Sequence, residues 1–372
     1  VTRVCVVVSF FAFVQACSTA PVEQAPAIQP AWTAPLVRAA NAVFGPPLKI
    51  DRTVYSSAGG ALVALDAGTG ARRWSVDPAP HPEIGVAGGI VAAAGAIVAA
   101  GYDIAAIDTV TRAVRWWHAL PADAALAGVV TDGSIVVVGT RQGTLHAYLA
   151  STGDSVFSAA MPANCSVECP VRGLAISGDT VYVSRVRSVV SGGGVSQTML
   201  AALRVQTGQQ LWQWTSDSTR ISGAVGTTVV GDLLVSGDVL GRSVFAVNRF
   251  TGALVWRTST PGTFLGPVSP PGVSGDSLFV GNANGDLLKL DVRTGSVLWR
   301  SGSGQLLLDV RPCGRWVLAS NGALYVRDRN TGAVRGKFAP TNDGLAGLIA
   351  VVNDTAYVNG SRHVYAFDCA RL

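Results

Sequence analysis

Charge is scarce in this chain. Aspartate, glutamate, lysine and arginine make up 14% of its 372 residues, and lysine and arginine cluster nowhere along it. The formal net charge of +5 is too diffuse to mark a nucleic-acid surface. Histidine is rare and scattered (His81, His118, His146, His363), and no His-Glu-x-x-His, Gly-x-Ser-x-Gly or paired-cysteine zinc signature occurs. The usual constellations of metalloproteases and serine hydrolases are thereby excluded, and the chain reads as a non-enzyme. Aromatic residues are modest at 7%. Against these shortages stand 43 glycines and 49% hydrophobic residues, which favour many short strands and tight turns around an ample core.

The N-terminal apolar run, Val4 to Val14, is too short for a membrane-spanning helix, which needs about 20 residues. With Arg3 before it and small residues after, it has the form of a secretory signal. Its end, Val14-Gln15-Ala16-Cys17, resembles the lipobox of bacterial lipoproteins, although Gln15 stands where a small or β-branched residue is usual. That resemblance implies a lipoprotein signal peptide over 1–16 and lipid on Cys17; the alternative is an ordinary signal with a chance cysteine. Ser18, rather than aspartate, beside it fits outer-membrane sorting. The Pro/Ala/Gln stretch that follows has little to bury, so 17–30 is expected to be a flexible, lipid-anchored tether. Residues 31–372 form the body.

In the body one phrase recurs. A Thr-Gly pair stands at Thr69, Thr152, Thr207, Thr251, Thr294 and Thr331, with Thr111-Arg112 as a variant, at intervals of 37 to 55 residues. Five residues after the threonine come Trp74, Trp116, Phe157, Trp212, Trp256 and Trp299, whereas the unit after Thr331 has Gly336 there and Phe338 two positions on. An apolar run such as "LLKLD" precedes each pair, and a polar turn followed by a β-rich run ("GDSLFVG") lies further upstream. Each unit thus supplies four short strands. Eight units of this kind, the last ("VYAFDCARL") stopping short of its fourth strand, predict an all-β, eight-bladed β-propeller of four-stranded antiparallel blades. The missing outer strand is expected from Ala31 to Phe44, since an open ring would expose a strand edge. The glycine supplies positive φ, and the preceding aspartate accepts turn N–H groups. The repeated tryptophan fills the seam between radial sheets, contributing at most roughly 4–6 kcal/mol by area; a ligand platform is the competing reading.

The phrase A-x-D-x-x-T-G-x-x-x-W, clearest in "ALDAGTGARRW" and "LDVRTGSVLW", resembles the tryptophan-docking repeat of quinoprotein (PQQ-like) propellers from about residue 45 to the end. A WD-type propeller is disfavoured by the absence of any Trp-Asp dipeptide. Within the superfamily, PQQ-dependent dehydrogenases carry a vicinal cysteine pair, and this chain has none. "GNANGDL" (Gly281 to Leu287) suggests a calcium loop but is more simply a hairpin turn. The order of lipobox, tether and propeller is similar to the BamB-type lipoproteins. That resemblance implies a scaffold without cofactor, lipid-anchored in the outer membrane and facing the periplasm. Its partner would be an envelope protein, such as an outer-membrane barrel assembly complex, bound by a monomeric propeller. A ligand-sensing propeller and a PQQ-dependent dehydrogenase remain the alternatives.

Two local features complete the reading. The longest interval, Thr152 to Thr207, holds "SRVRSVVSGGGVSQT" (Ser184 to Thr198), expected to project as a loop carrying Arg185 and Arg187 toward a partner, or else as solvated decoration. Cys5 leaves with the signal and Cys17 takes lipid, so four cysteines remain. Cys165 and Cys169 share one loop, while Cys313 and Cys369 fall on the same end of neighbouring blades, so Cys165–Cys169 and Cys313–Cys369 are the expected bridges. Four free thiols are the alternative.

Overall fold

The computed structural model describes residues 25–36, 45–57, 61–76, 89–101, 103–120, 128–160, 169–188, 196–216, 226–238, 242–260, 269–282, 285–302, 307 and 309–372. Among them every regular element is a strand, and the strands form eight separate four-stranded antiparallel sheets arranged as blades of a propeller. Seven blades are consecutive in the chain: blade 1 over 48–76, blade 2 over 89–119, blade 3 over 129–159, blade 4 over 171–215, blade 5 over 228–259, blade 6 over 272–302 and blade 7 over 309–338. The eighth takes three strands from 345–368 and its outermost from Trp32–Pro35, which lies antiparallel to His363–Asp368.

Alternation along a single strand predicts one apolar face; the structure has two. In the second strand of blade 2, Ile97 packs toward blade 1 and its neighbour Val98 toward blade 3. Likewise Leu287 faces blade 7 while Leu288 and Leu290 face blade 5. Successive side chains leave a strand on opposite sides, and each blade is sandwiched between two others, so the middle strands are apolar throughout. The core is therefore eight inter-blade clusters rather than one central mass.

The recurrent turn joins the third and fourth strands. In blade 1, Asp66 Oδ1 accepts the backbone N–H groups of Gly68 and Thr69 and the Thr69 hydroxyl, each at 3.1 Å. Gly70 then takes φ +73° and lies under the Trp32 ring, where a Cβ would come within 2.6 Å of Trp32 Cε3. The Trp32 indole N–H donates to Ala67 O at 3.0 Å. The same arrangement recurs around the ring: Trp116 donates to Ala150 O, Trp212 to Arg249 O and Trp256 to Val292 O, each at 2.9 Å, and Trp299 to Arg329 O at 3.2 Å. Phe157 occupies the position against Gly208 without an indole donor. Each tryptophan is thus clamped onto the turn of the next blade, which makes it a seam residue. Trp74 holds the same register, opposite Ala64, and packs on the cluster shared by blades 1 and 2, where the variant turn of blade 2 has Arg112 at φ 64°.

Two outcomes follow. Trp256→Ala removes a side chain only 8% exposed together with its hydrogen bond, and is expected to cost about 3–5 kcal/mol in denaturant unfolding; a loss below about 1 kcal/mol would show that the seam does not need the dock. The turn aspartates predict acid lability. Hydrogen bonds from Arg73 and Thr69 hold the Asp66 carboxyl down at about 2, and turn N–H donors lower Asp108, Asp291 and Asp328. Their contribution is present above the ordinary carboxylate pKa and lost as pH falls from roughly 4 toward 2. Asn248 natively fills this position in blade 5, accepting from Phe250 N and Thr251 N. Asp328→Asn should therefore change stability at pH 7 by about 0.5 kcal/mol or less and flatten the acid limb of a melting-temperature profile.

Candidate functional site

In blade 4 the two described flanks of the stretch read as a loop, 184–188 and 196–198, are sheet. The second and third strands run Thr180–Ser188 and Ser196–Arg204 and stay in register out to Ser188↔Ser196. At nine residues each they are longer than any strand in the neighbouring blades. The hairpin is held at its base. Arg185 is 3% exposed and its guanidinium donates to Gly143 O, in the corresponding turn of blade 3, at 3.0 Å. Burial pushes its pKa down to about 10, which leaves it charged at neutral pH. The expectation that Arg185 lies on a solvent loop is corrected: successive residues alternate faces, and this one points between two blades. Arg187, two residues on, is half-buried and donates to Gln197 Oε1 at 3.4 Å, while Gln197 donates to Ser216 O at 3.2 Å. The hairpin is thus a stiff projection braced on one flank, and its tip at 189–195, with Gly192 to Gly194, lies outside the described residues.

The other singled-out residues fall as follows. Cys313, at the end of the first strand of blade 7, is disulfide-bonded to Cys369, in the last turn of blade 8, with Cα atoms 5.7 Å apart. Cys169 is buried and disulfide-bonded; Cys165 and Cys17 lie outside the described residues. Of the repeat tryptophans, Trp116, Trp212, Trp256 and Trp299 clamp seams as described, and Trp74 stands in register. Sequence reasoning missed Trp32. It stands opposite Ala366, two residues before the turn aspartate, as Trp116 stands opposite Ala106. The signal was present in "AWTAP", but its partner strand lies more than 330 residues away.

Acidic side chains within the ring are used internally. In the Gly281–Leu287 segment, Asp286 N donates to Asn282 Oδ1 at 2.8 Å, Asn282 Nδ2 donates to Asp286 Oδ2 at 3.1 Å, and Arg300 Nε donates to Asp286 Oδ1 at 3.0 Å. The carboxylate is committed to closing a hairpin rather than open to a cation. Asp343 accepts from Ser361 Oγ (2.7 Å), Arg362 N (2.9 Å) and Tyr365 Oη (2.7 Å), and contacts His363 Nδ1 at 2.9 Å. These partners hold the blade 8 hairpin and lower the Asp343 carboxyl pKa against the opposing effect of its burial. Asp309 is buried in blade 7, where desolvation pushes its carboxyl up; it pairs with Arg311 at 3.0 Å and accepts from Ile349 N of blade 8 at 2.8 Å. No group of three or more metal-ligating side chains occurs among the described residues.

Comparison with known proteins points the same way as the repeat. The family model described as "Outer membrane protein assembly factor BamB" matches residues 29–125, 100–238 and 196–339. A protein of that name from Burkholderia pseudomallei is 27% identical over 286 residues, covering 74% of this chain and 69% of the relative. Among solved structures, BamB from Moraxella catarrhalis superposes with a TM-score of 0.68 at 18% identity, covering 90% of this chain and 96% of that one. A quinohemoprotein alcohol dehydrogenase from Pseudomonas putida HK5 superposes with a TM-score of 0.71 at 13% identity, covering 92% of this chain and 76% of that one. At such identities the superpositions speak to the fold alone. The family match spans the ring from blade 1 through blade 7, each unit bearing the turn phrase, and the chain belongs to the PQQ-like β-propeller family described as outer membrane protein assembly factor BamB.

Proposed function

We propose that this chain is a non-enzymatic scaffold of the bacterial envelope, anchored by lipid on Cys17 to the outer membrane and facing the periplasm. There it holds a protein partner of an outer-membrane β-barrel assembly complex. The observation that carries this reading is the family match over residues 29–339. The relative from Burkholderia pseudomallei bears the name of an assembly factor, which supports the partner class. The body suits the task physically: a ring of clamped blades is a rigid platform, and binding on such platforms falls to projections from the scaffold. The blade 4 hairpin is the projection we assign to partner contact, with Arg187 on its braced flank and Arg185 as the base that fixes its direction.

Crosslinking and affinity capture from native membranes tests the proposal. The full-length chain should bring down an outer-membrane barrel assembly complex, and replacing residues 186–198 with a tight turn should cut recovery by about tenfold, a loss of about 1.4 kcal/mol in binding, while melting is retained. Undiminished capture by the shortened protein would sink the hairpin assignment. Bound quinone absorbance in protein purified from its native membrane, without such a complex, would overturn the scaffold reading. Cys17→Ser should convert the membrane-bound protein to a soluble periplasmic one, read by fractionation, since a tether without acyl chains has nothing to hold it. Firm membrane retention of that variant would contradict the lipid anchor.

A further inference from the structure

The seam between blades 7 and 8 is built differently from those with a tryptophan dock. At the register position of the docking aromatic, blade 7 has Gly336, opposite Val326. On the receiving side, the residue after the turn aspartate offers the carbonyl that takes the indole N–H at the tryptophan docks, as Val292 does after Asp291. In blade 8 that residue is Cys369, following Asp368, and the place of the docking glycine is filled by Leu372. Both halves of the dock are therefore missing at one seam, and Cys369 is bonded instead to Cys313 of blade 7.

The space that a tryptophan at 336 would fill is occupied by the chain's own N-terminal segment. Pro26 to Ile28, read from the sequence as part of a flexible tether, lies parallel to the outer strand Val334–Phe338, joined to it by a single bridge between Ala27 and Lys337. Ile28 N donates to Lys337 O at 3.0 Å and Lys337 N donates to Pro26 O at 2.7 Å. A Cβ on Gly336 would stand 2.5 Å from Ile28 Cγ2 and 3.0 Å from Pro26 O. Ile28 and Phe338 pack on the cluster shared by blades 7 and 8, where Phe338 meets Tyr365 and Phe367 with ring centroids 5.0 and 5.2 Å apart. A docked tryptophan and this strap exclude each other; a disulfide at the turn end of the seam does not compete with it.

We propose that the seam between blades 7 and 8 is a covalent latch: the Cys313–Cys369 disulfide stands in for the missing tryptophan dock, leaving the edge of blade 7 free to seat the Pro26–Ile28 strap. The strap leads within four residues to the closing strand Trp32–Pro35. A pull on the N-terminus therefore reaches blade 7 and the disulfide-locked seam before it reaches the strand that closes the ring. Reduction by a dithiol breaks the S–S bond, yields two thiols on Cys313 and Cys369 and oxidises the dithiol to its own disulfide, which should loosen this seam.

Hydrogen exchange of the full-length chain, read by mass spectrometry, tests the latch. Cys313→Ala/Cys369→Ala is expected to speed exchange about tenfold or more in 309–338, 345–368 and 26–28, while 89–259 stays within about twofold, because local opening is confined to the weakened unit. The wild type reduced with a dithiol should give the same pattern outside the segment next to Cys169, whose own disulfide is reduced as well, which keeps the test intact if the double variant folds poorly. Trp256→Ala, as a control, should loosen the seam between blades 5 and 6 instead. Gly336→Trp, or the milder Gly336→Ala, should expose 26–28 to exchange and to proteolysis. Uniform loosening round the ring, unchanged exchange on loss of the disulfide, or a strap that stays protected in both Gly336 variants would overturn the proposal.

Discussion

An indole ring laid on a glycine is the contact on which the ring depends. Radial sheets diverge outward, so the gap between neighbouring outer strands needs a large flat filler, and a filler without a polar tether would be free to slide. Trp256 meets both needs: its face lies on Gly295 and its N–H reaches Val292 O at 2.9 Å. The glycine is required twice over. It takes φ +71°, where a Cβ is strained, and the same Cβ would enter the ring plane. The turn aspartate then fixes the loop that presents the carbonyl, so one short phrase specifies a turn, a seam and the angle between blades.

Nearer the axis, polar ties do what the aromatic docks do at the rim. Asn359 of blade 8 accepts from Ser56 Oγ of blade 1 and donates to Gly45 O, both at 3.0 Å, bridging the first and last blades. At the rim itself, Arg327, 1% exposed, donates from blade 7 to Ser301 Oγ of blade 6 at 2.7 Å and to Gly332 O, beside the Trp299 dock, at 3.1 Å. Asp309 joins blades 7 and 8 through Ile349 N, and Arg311 reaches back to Pro270 O at 2.9 Å. Buried polar groups of this kind are costly unless satisfied, and once satisfied they fix one arrangement among many that an apolar seam would tolerate. The result is a platform whose blades hold their relative positions, which is what a binding scaffold requires. The blade 4 hairpin inherits that rigidity, since Arg185 ties its base to the neighbouring blade.

The sequence by itself determined what is local. Blade number, strand order within a blade, the aspartate-capped turn and the spacing of the tryptophans are all set within about a dozen residues, so they recur as a legible phrase. The glycine at 336 was equally visible as a break in the phrase. The closing of the last blade by a strand within 31–44 was legible too, from the unit that lacked its fourth strand; tertiary structure decided which side chains face which neighbour. Two-sided burial of the middle strands, the inward turn of Arg185 and the docking role of Trp32 all arise from neighbours distant in the chain. Even the meaning of Gly336 was decided that way. Its missing side chain makes sense only once Ile28, more than 300 residues earlier, is seen lying against it. A repeat encodes its own blade, because turn and strand chemistry act over a few residues. How each side chain meets the neighbouring blade is written in contacts that exist only after the ring has closed.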